Sequence, residues 1–240
     1  MKPQSFLFPI TSAPRLLALS AALGGAALLV ACGGGGDDKS NPVPKPNPVT
    51  VAPTMECSAA GKAAAAASTA ANVVCMLTSD GEIVVELDAR APITVANFMK
   101  YVDAKYYDNT IFHRVVPDFV VQGGGYTTGF AAKPFPTGLG TAIKLEVNVG
   151  ISNVKYTIAM ARQASPVDSA TSQFFFNSVD NSATLDYSAS TTAPNPGYAA
   201  FGRVISGQAT VDKINAEPQL YVGAETPATE VLLYWAIRLK

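Results

Sequence analysis

Residues 73–240 are predicted to form a mainly β domain whose sheet is closed or nearly closed. About eight short runs rich in β-branched and aromatic residues recur along this stretch, separated by Gly, Pro, Asn and Asp. Helical spacing of apolar residues occurs in two segments, which is too few for the strand–helix alternation of a parallel sheet. A closed sheet also leaves no exposed strand edge, which favours a barrel over an open sheet.

The strands follow from the local sequence. Ser79-Asp80-Gly81 separates two β-rich runs, and an Asp-Gly pair suits the positive φ of a tight turn, so a hairpin is predicted over 73–88. The further predicted strands are 110–116, 119–123, 157–163, 172–179, 198–205 and 231–240, with long loops over 124–142 and 180–197.

Two helices are predicted between the strands, over 91–109 and 207–217. The first begins near Pro92, a residue that suits the first turn of a helix. Its apolar residues recur three and four positions apart, so one face should be buried. We expect Asp108-Asn109 to end it.

Residues 1–31 have the pattern of a secretory signal. Lys2 and Arg15 supply positive charge without acidic residues, and Leu16–Ala31 is apolar but shorter than the roughly 20 residues of a membrane-spanning helix. The following motif, LVAC, resembles the bacterial lipobox, which implies cleavage before Cys32 and lipid attachment to this residue. An ordinary secretory signal with a chance cysteine, or an uncleaved anchor, is the alternative.

The next stretch, residues 32–54, is rich in glycine and proline and has no apolar periodicity. This composition predicts a flexible tether, and an ordered arm packed on the domain is the alternative. Gly33, rather than Asp, follows the cysteine; by resemblance to sorted lipoproteins this favours the outer membrane. We therefore expect a lipid-anchored protein of the cell envelope whose domain faces the periplasm.

Residues 55–72 contain a run of alanines, the best helix former, and predict a short helix. Cys57 and Cys75 flank it, and outside the cytoplasm such a pair invites a disulfide. The alternative is a buried free Cys75 on a strand and a loose Cys57. The three cysteines show no CxxC spacing and the chain has one histidine, so no zinc site is predicted.

The charge of the chain points to no nucleic-acid partner. It has 17 Lys and Arg against 18 Asp and Glu, a formal net charge of −1, so there is no long-range field for a polyanion. Hydrophobic residues make up 48% of the chain, enough for one core of domain size.

Three blocks identify a family. FHRVVPDFVVQGGG (112–125), IAMARQASPVDSATSQFFFN (158–177) and AFGRVISGQATVDKI (200–214) resemble, in order, the cyclophilins, which are peptidyl-prolyl cis/trans isomerases. The resemblance covers about residues 73–240. It implies a closed, eight-stranded antiparallel β-barrel capped by two α-helices, with a shallow proline-binding groove on the outside and no cofactor.

The resemblance also implies the residues of the groove. Arg114, Phe119 and Gln122 would be catalytic. The substrate-binding residues would be Val120, Ala161, Arg162, Gln163, Gln173, Phe175, Leu185 and Tyr198.

Each implied role has a structural alternative. Arg114 would act on the prolyl nitrogen, whereas an arginine that holds a carboxylate is the alternative. His113 is expected to be structural rather than a catalytic base. In the run Phe174-Phe175-Phe176, alternation along a strand directs Phe174 and Phe176 to the core, so Phe175 is the groove candidate.

Four departures from the family pattern affect the groove. Thr184 stands where an aromatic residue is frequent, which thins the wall and should weaken binding of cyclosporin-type ligands. Asp118 replaces a usual glycine and brings charge near the groove. Tyr198 stands for a frequent histidine, as in many bacterial members. The longer loop 188–198 lies at the rim.

The expected function is isomerisation of X–Pro bonds in exported proteins by a monomer held to the membrane by lipid. Its partners would be proline-containing segments of those proteins. The alternative is a module that binds such segments without turnover. Arg114 separates the two readings, because binding alone needs no cation over the prolyl nitrogen.

Overall fold

A computed structural model describes residues 42–47 and 53–240. The predicted signal sequence, residues 1–31, and the predicted lipidation site Cys32 lie outside them. The helices are α1 (Ala59–Ala67), α2 (Pro92–Asp103), α3 (Ser182–Leu185) and α4 (Gln208–Asn215). The strands are β1 (Asn72–Thr78), β2 (Gly81–Leu87), β3 (Thr110–Phe112), β4 (Arg114–Val116), β5 (Val120–Gly123), β6 (Tyr126–Thr127), β7 (Ala131–Ala132), β8 (Thr157–Met160), β9 (Phe174–Asn177), β10 (Ala200–Ser206) and β11 (Val231–Arg238).

The main sheet is a nearly closed antiparallel barrel. Its strand order is β3-β11-β1-β2-β10-β8-β9-β5-β4. The strands at the two ends of this order, β3 and β4, follow one another in the chain and are separated only by His113. The predicted mainly β barrel is therefore confirmed. It has nine strands rather than eight, because the run predicted over 110–116 pairs with β11 in its first half and with β5 in its second.

The interior of the barrel is filled by apolar side chains from alternate strand positions and from two helices. Phe98 on α2 lies edge-on against Phe174 on β9, with 5.6 Å between ring centroids. Val211 and Ile214 on α4 are fully buried in the same core. Both predicted helices thus bury one face against the barrel.

The first of these helices ends earlier than the sequence predicts, at Asp103 rather than near Asn109. Lys105 adopts a left-handed conformation with φ 53°, and its N–H donates to the carbonyl of Val102 at 2.9 Å. The N–H of Tyr106 donates to the carbonyl of Tyr101 at 2.9 Å. These two bonds form the usual left-handed helix ending without a glycine, which is why the sequence did not reveal it.

Two elements occur in stretches predicted to be loops. Strands β6 and β7 form a small two-stranded sheet within 124–142, and the single-turn helix α3 lies within 180–197. Both are too short to show a periodicity in the sequence.

Helix α1 packs on β2 and β10. A disulfide links Cys57, which precedes the helix, to Cys75 on β1, 18 positions apart. Ser58 caps the helix by accepting from the N–H of Gly61 at 3.0 Å. A side chain at Gly61 would meet Cys57 Sγ at 2.6 Å, so glycine permits the close approach of the helix to the disulfide. The structure thus adopts the bridged alternative.

The described part of the tether contacts the domain. Lys45 pairs in parallel with Thr229; its N–H donates to Ala228 O at 2.9 Å, and the N–H of Glu230 donates to Lys45 O at 2.9 Å. This pairing favours the ordered-arm alternative for residues 43–47. No helix within 42–47 and 53–240 is long and apolar enough to cross a membrane.

His113, at the break between β3 and β4, packs against Tyr126 with 4.6 Å between ring centroids and 52° between the ring planes. Its Nδ1 atom is buried. Burial, and then the positive charge of Arg114, lower the pKa of His113 to about 4. The side chain is therefore neutral at pH 7, which agrees with a structural role.

Removing both sulfurs in the double variant Cys57→Ala/Cys75→Ala should lower the free energy of unfolding by about 3 kcal/mol, because the unfolded chain regains the entropy of the closed loop. Urea denaturation measures this. Treating the wild type with a reductant should give a shift of the same sign, and an unchanged unfolding midpoint in both experiments would contradict the disulfide.

His113 should make stability depend on pH. Its pKa in the fold, about 4, is below its ordinary 6.5. The neutral form is thus favoured by folding, and the stabilisation present above pH 6.5 is lost as the pH falls toward 4. Relative to His113→Gln, which cannot titrate, the wild type should lose about 2–3 kcal/mol between pH 7 and pH 4. Parallel stability curves for the two proteins would contradict the buried neutral histidine.

Candidate active site

An apolar floor lies on the outer face of the barrel. It is formed by alternate side chains of β5, β8, β9 and β10, whose neighbours on each strand point into the core. Phe175 is the clearest case: it belongs to this outer cluster, whereas Phe174 and Phe176 are in the barrel core. Six residues predicted for the groove share the cluster, namely Phe119, Val120, Ala161, Phe175, Leu185 and Tyr198.

Phe119 reaches this floor from a turn rather than from a strand. Strand β5 begins one residue later, at Val120, and Asp118 adopts a left-handed conformation with φ 53°. The N–H of Asp118 donates to Asn215 Oδ1 at 3.1 Å, which ties the turn to the end of α4. The turn before β5, rather than the strand itself, therefore carries Phe119 to the outer cluster.

A row of polar side chains borders the floor. Arg114 on β4 pairs in register with Gln122 on β5, which pairs in register with Phe175 on β9. Gln122 donates through Nε2 to Gln173 Oε1 at 2.9 Å, and its own Oε1 lies 3.4 Å from Arg114 Nη1. The strand register thus places Arg114 beside Gln122, and the hydrogen bond adds Gln173, which directly precedes β9, to the same row.

Arg114 also has an acidic partner that the sequence did not suggest. Its Nε lies 2.7 Å from Glu225 Oε2, and its Nη2 lies 3.2 Å from Glu225 Oε1. The side chain of Arg114 is 15% exposed and that of Glu225 is 50% exposed. Arg114 therefore contacts both a carboxylate, that of Glu225, and the polar row of the groove through Gln122, so its surroundings fit both of the roles considered for it.

A second arginine builds the opposite rim. The guanidinium of Arg162 lies 4.5 Å from the ring centre of Tyr198 and donates through Nε to Gly197 O at 2.9 Å. Tyr198 in turn meets Phe175 edge-on, with 5.8 Å between ring centroids. Arg162 Nη1 donates to Gln163 O at 2.8 Å, while the Gln163 side chain is exposed. Burial lowers the pKa of Arg162 and raises that of Tyr198.

Buried asparagines hold the floor in place, and sequence reasoning missed them. Asn153 donates through Nδ2 to Asp186 Oδ1 at 2.8 Å and to Tyr198 O at 3.1 Å. Asn181 donates to Phe119 O at 2.8 Å and to Asn177 Oδ1 at 2.8 Å. Buried amides must be hydrogen-bonded, so this network fixes the segments that carry Phe119 and Tyr198. The asparagine that ends the FFFN run was the available signal.

The loop 188–198 folds back on itself beside Thr184. Ser188 and Asn195 exchange two backbone bonds of 2.8 and 3.0 Å, and Asn195 Nδ2 donates to Thr184 O at 2.7 Å. Thr184 is exposed. That its small side chain thins this wall of the groove stays a prediction.

One group of side chains in the described part of the chain has the spacing for a metal ion. It consists of Cys57, Cys75 and Glu82, whose ligand atoms lie within 4.8 Å of one another. The two sulfurs are joined in the disulfide, so they are not available as thiolates. This group belongs to the α1 side of the domain and not to the outer cluster.

Comparison with known sequences agrees with the geometry. Residues 73–233 match the family "Cyclophilin type peptidyl-prolyl cis-trans isomerase/CLD". A peptidyl-prolyl cis-trans isomerase of Streptomyces antibioticus is 50% identical over 139 residues, 57% of this chain and 79% of that protein. A peptidyl-prolyl cis-trans isomerase of Acinetobacter baylyi is 46% identical over 144 residues, which are 60% of this chain and 71% of that protein. Peptidyl-prolyl cis-trans isomerase B of Escherichia coli is 44% identical over 138 residues, which are 57% of this chain and 80% of that protein.

Solved structures share the fold. A cyclophilin-type isomerase of Cryptosporidium parvum has a TM-score of 0.55 at 21% identity, covering 70% of this chain and 98% of its own. A cyclophilin from Hirschia baltica has a TM-score of 0.52 at 22% identity, and the match covers 69% of this chain and 73% of that one. The family match over residues 73–233, together with the relatives at 44% to 50% identity, shows that the chain belongs to the cyclophilin-type peptidyl-prolyl cis-trans isomerases.

Proposed function

We propose that this isomerase acts on X–Pro bonds of exported proteins, with Arg114 as the group that lowers the barrier and without a covalent intermediate or cofactor. The observation that carries the catalytic part is the alignment of Arg114, Gln122 and Gln173 beside an apolar floor. This pairing of donors with a flat apolar surface fits a proline ring and the amide that precedes it.

The proposed floor binds the substrate by burial of apolar surface. Phe119, Phe175 and Leu185 offer the faces against which a proline ring would pack. Gln122 and Gln163 would hydrogen-bond the peptide backbone on either side, which fixes the orientation of the bond that rotates. Immobilising the flanking backbone restricts the motion to one torsion.

The barrier itself comes from amide resonance, about 18–20 kcal/mol. As the X–Pro bond twists, the prolyl nitrogen loses resonance and regains a basic lone pair. A donor from Arg114, which stays protonated, would stabilise that lone pair. The planar amide offers no such acceptor, so the interaction exists only in the twisted state and lowers the barrier. No bond is made or broken.

Replacement of Arg114 by alanine should therefore reduce isomerisation roughly 10²-fold, the usual effect of removing one donor to a transition state. Arg114→Lys keeps the charge but loses the planar guanidinium, so its isomerisation rate should lie between those of the wild type and Arg114→Ala. The cis-to-trans relaxation of an Ala-Pro tetrapeptide at low temperature measures this.

The matched control is Arg203→Ala, which removes a different ion-paired arginine, the partner of Glu86. This variant should retain wild-type activity. Full activity of a folded Arg114→Ala protein would contradict the proposed mechanism. Wild-type binding of proline peptides without acceleration would instead favour the binding-module function.

The proposed substrates follow from the proposed location. A secretory signal and a lipidated Cys32 would place the domain at the cell envelope, facing the periplasm, where exported chains fold. X–Pro isomerisation takes tens to hundreds of seconds uncatalysed, slow enough to limit their folding. Several acyl chains would hold the protein firmly, since each buried CH₂ contributes ~0.8 kcal/mol.

Cys32→Ser should abolish incorporation of labelled fatty acid and release the protein from the membrane fraction. Gly33→Asp should leave the lipid in place and move the protein from the outer to the inner membrane. Sucrose-gradient fractionation of cells measures both. Co-fractionation of Cys32→Ser with the wild type in the outer membrane would contradict the lipid anchor.

A further inference from the structure

Glu225, the carboxylate on Arg114, is carried by a folded segment and not by a loose loop. The backbone N–H of Val115 on β4 donates to Glu225 O at 2.6 Å, so the residue is fixed beside the strand that carries Arg114. The segment is closed by Leu220 N–H donating to Thr226 O at 2.9 Å and by a bridge between Gln219 and Pro227. Glu225 thus approaches Arg114 from a defined direction.

The contact uses one edge of the guanidinium. Nε and Nη2 both face the carboxylate of Glu225, at 2.7 and 3.2 Å. Because the guanidinium is planar, holding this edge also sets the direction of the opposite nitrogen. That nitrogen, Nη1, lies toward Gln122 at 3.4 Å, in the polar row of the groove.

We infer that Glu225 is a positioning residue for the isomerisation: it holds the Nε–Nη2 edge of Arg114 so that the Nη1 edge is directed at the groove before the substrate arrives. The inference rests on the proposed role of Arg114. An arginine side chain has many rotamers, and a geometry fixed in advance need not be found at the moment of reaction.

Two other roles for the pair make different predictions. An exposed ion pair that serves stability contributes little, so its loss would leave the rate unchanged. A brake, in which Glu225 occupies Arg114 until substrate displaces it, would raise the rate when the carboxylate is removed. The positioning role lowers the rate on the enzyme while peptide affinity changes little, since the floor and the glutamines still bind.

The test uses Glu225→Gln, Glu225→Asp and Arg114→Ala in the full chain, with Asp103→Asn as matched control. Asp103 makes an equivalent two-point contact with Nε and Nη2 of Arg238 outside the polar row. NMR exchange spectroscopy of an Ala-Pro tetrapeptide gives the isomerisation rate on the enzyme, and a titration gives the affinity.

Glu225→Gln should slow isomerisation about tenfold with affinity within about twofold, because misplacement of a catalytic group acts on rate. Glu225→Asp should recover part of the rate, and Asp103→Asn should equal the wild type. Adding Glu225→Gln to Arg114→Ala should have no further effect, because the carboxylate acts through the arginine.

A wild-type or faster rate for Glu225→Gln overturns the inference, as does a loss that appears in affinity or persists in the Arg114→Ala background. Unfolding curves for each variant exclude misfolding as the cause. If Arg114→Ala keeps its activity, the proposed mechanism fails as a whole. If Arg114→Ala loses activity while Glu225→Gln does not, only the role of Glu225 fails.

Discussion

Alternation of side chains along the barrel strands is the constraint on which this site depends. A strand directs successive residues to opposite faces, so β9 can place Phe174 and Phe176 in the core and Phe175 outside. The same alternation on β5 sends Val121 inward and Gln122 outward. Successive residues of the same strands thus build the barrel core and the outer floor in turn. A shift of the strand register by one residue would exchange the two sets of side chains.

The rims of the groove come from segments between strands, each held by polar contacts. Buried asparagines fix the turn before β5 and the segment leading to Tyr198, while Arg162 stacks on that tyrosine. On the other side, the segment bearing Glu225 is hydrogen-bonded to β4. A rigid barrel therefore sets the floor, and hydrogen bonds at the loops set the height and charge of its borders.

The features that could be predicted from the sequence are those encoded in local periodicity and in the family motifs. The mainly β barrel, both capping helices and the separation of Phe175 from its neighbours were available from local pattern and family blocks. The sequence did not predict that α2 ends at Asp103, because Lys105 adopts a conformation usually left to glycine. Nor did it reveal the partner of Arg114, since Glu225 lies 111 positions away and only tertiary packing joins them.

We propose that an X–Pro bond is bound and twisted at the outer floor of β5 and β9. The most direct measurement is an NMR titration with an Ala-Pro tetrapeptide, following the side-chain signals of Arg114 Nε–H and Gln122 Nε2 together with the cis–trans exchange peaks of the peptide. We expect the signals of these side chains and of the Phe175 ring to shift while the cis–trans exchange of the peptide accelerates. Accelerated exchange with shifts confined to another face of the barrel would contradict it.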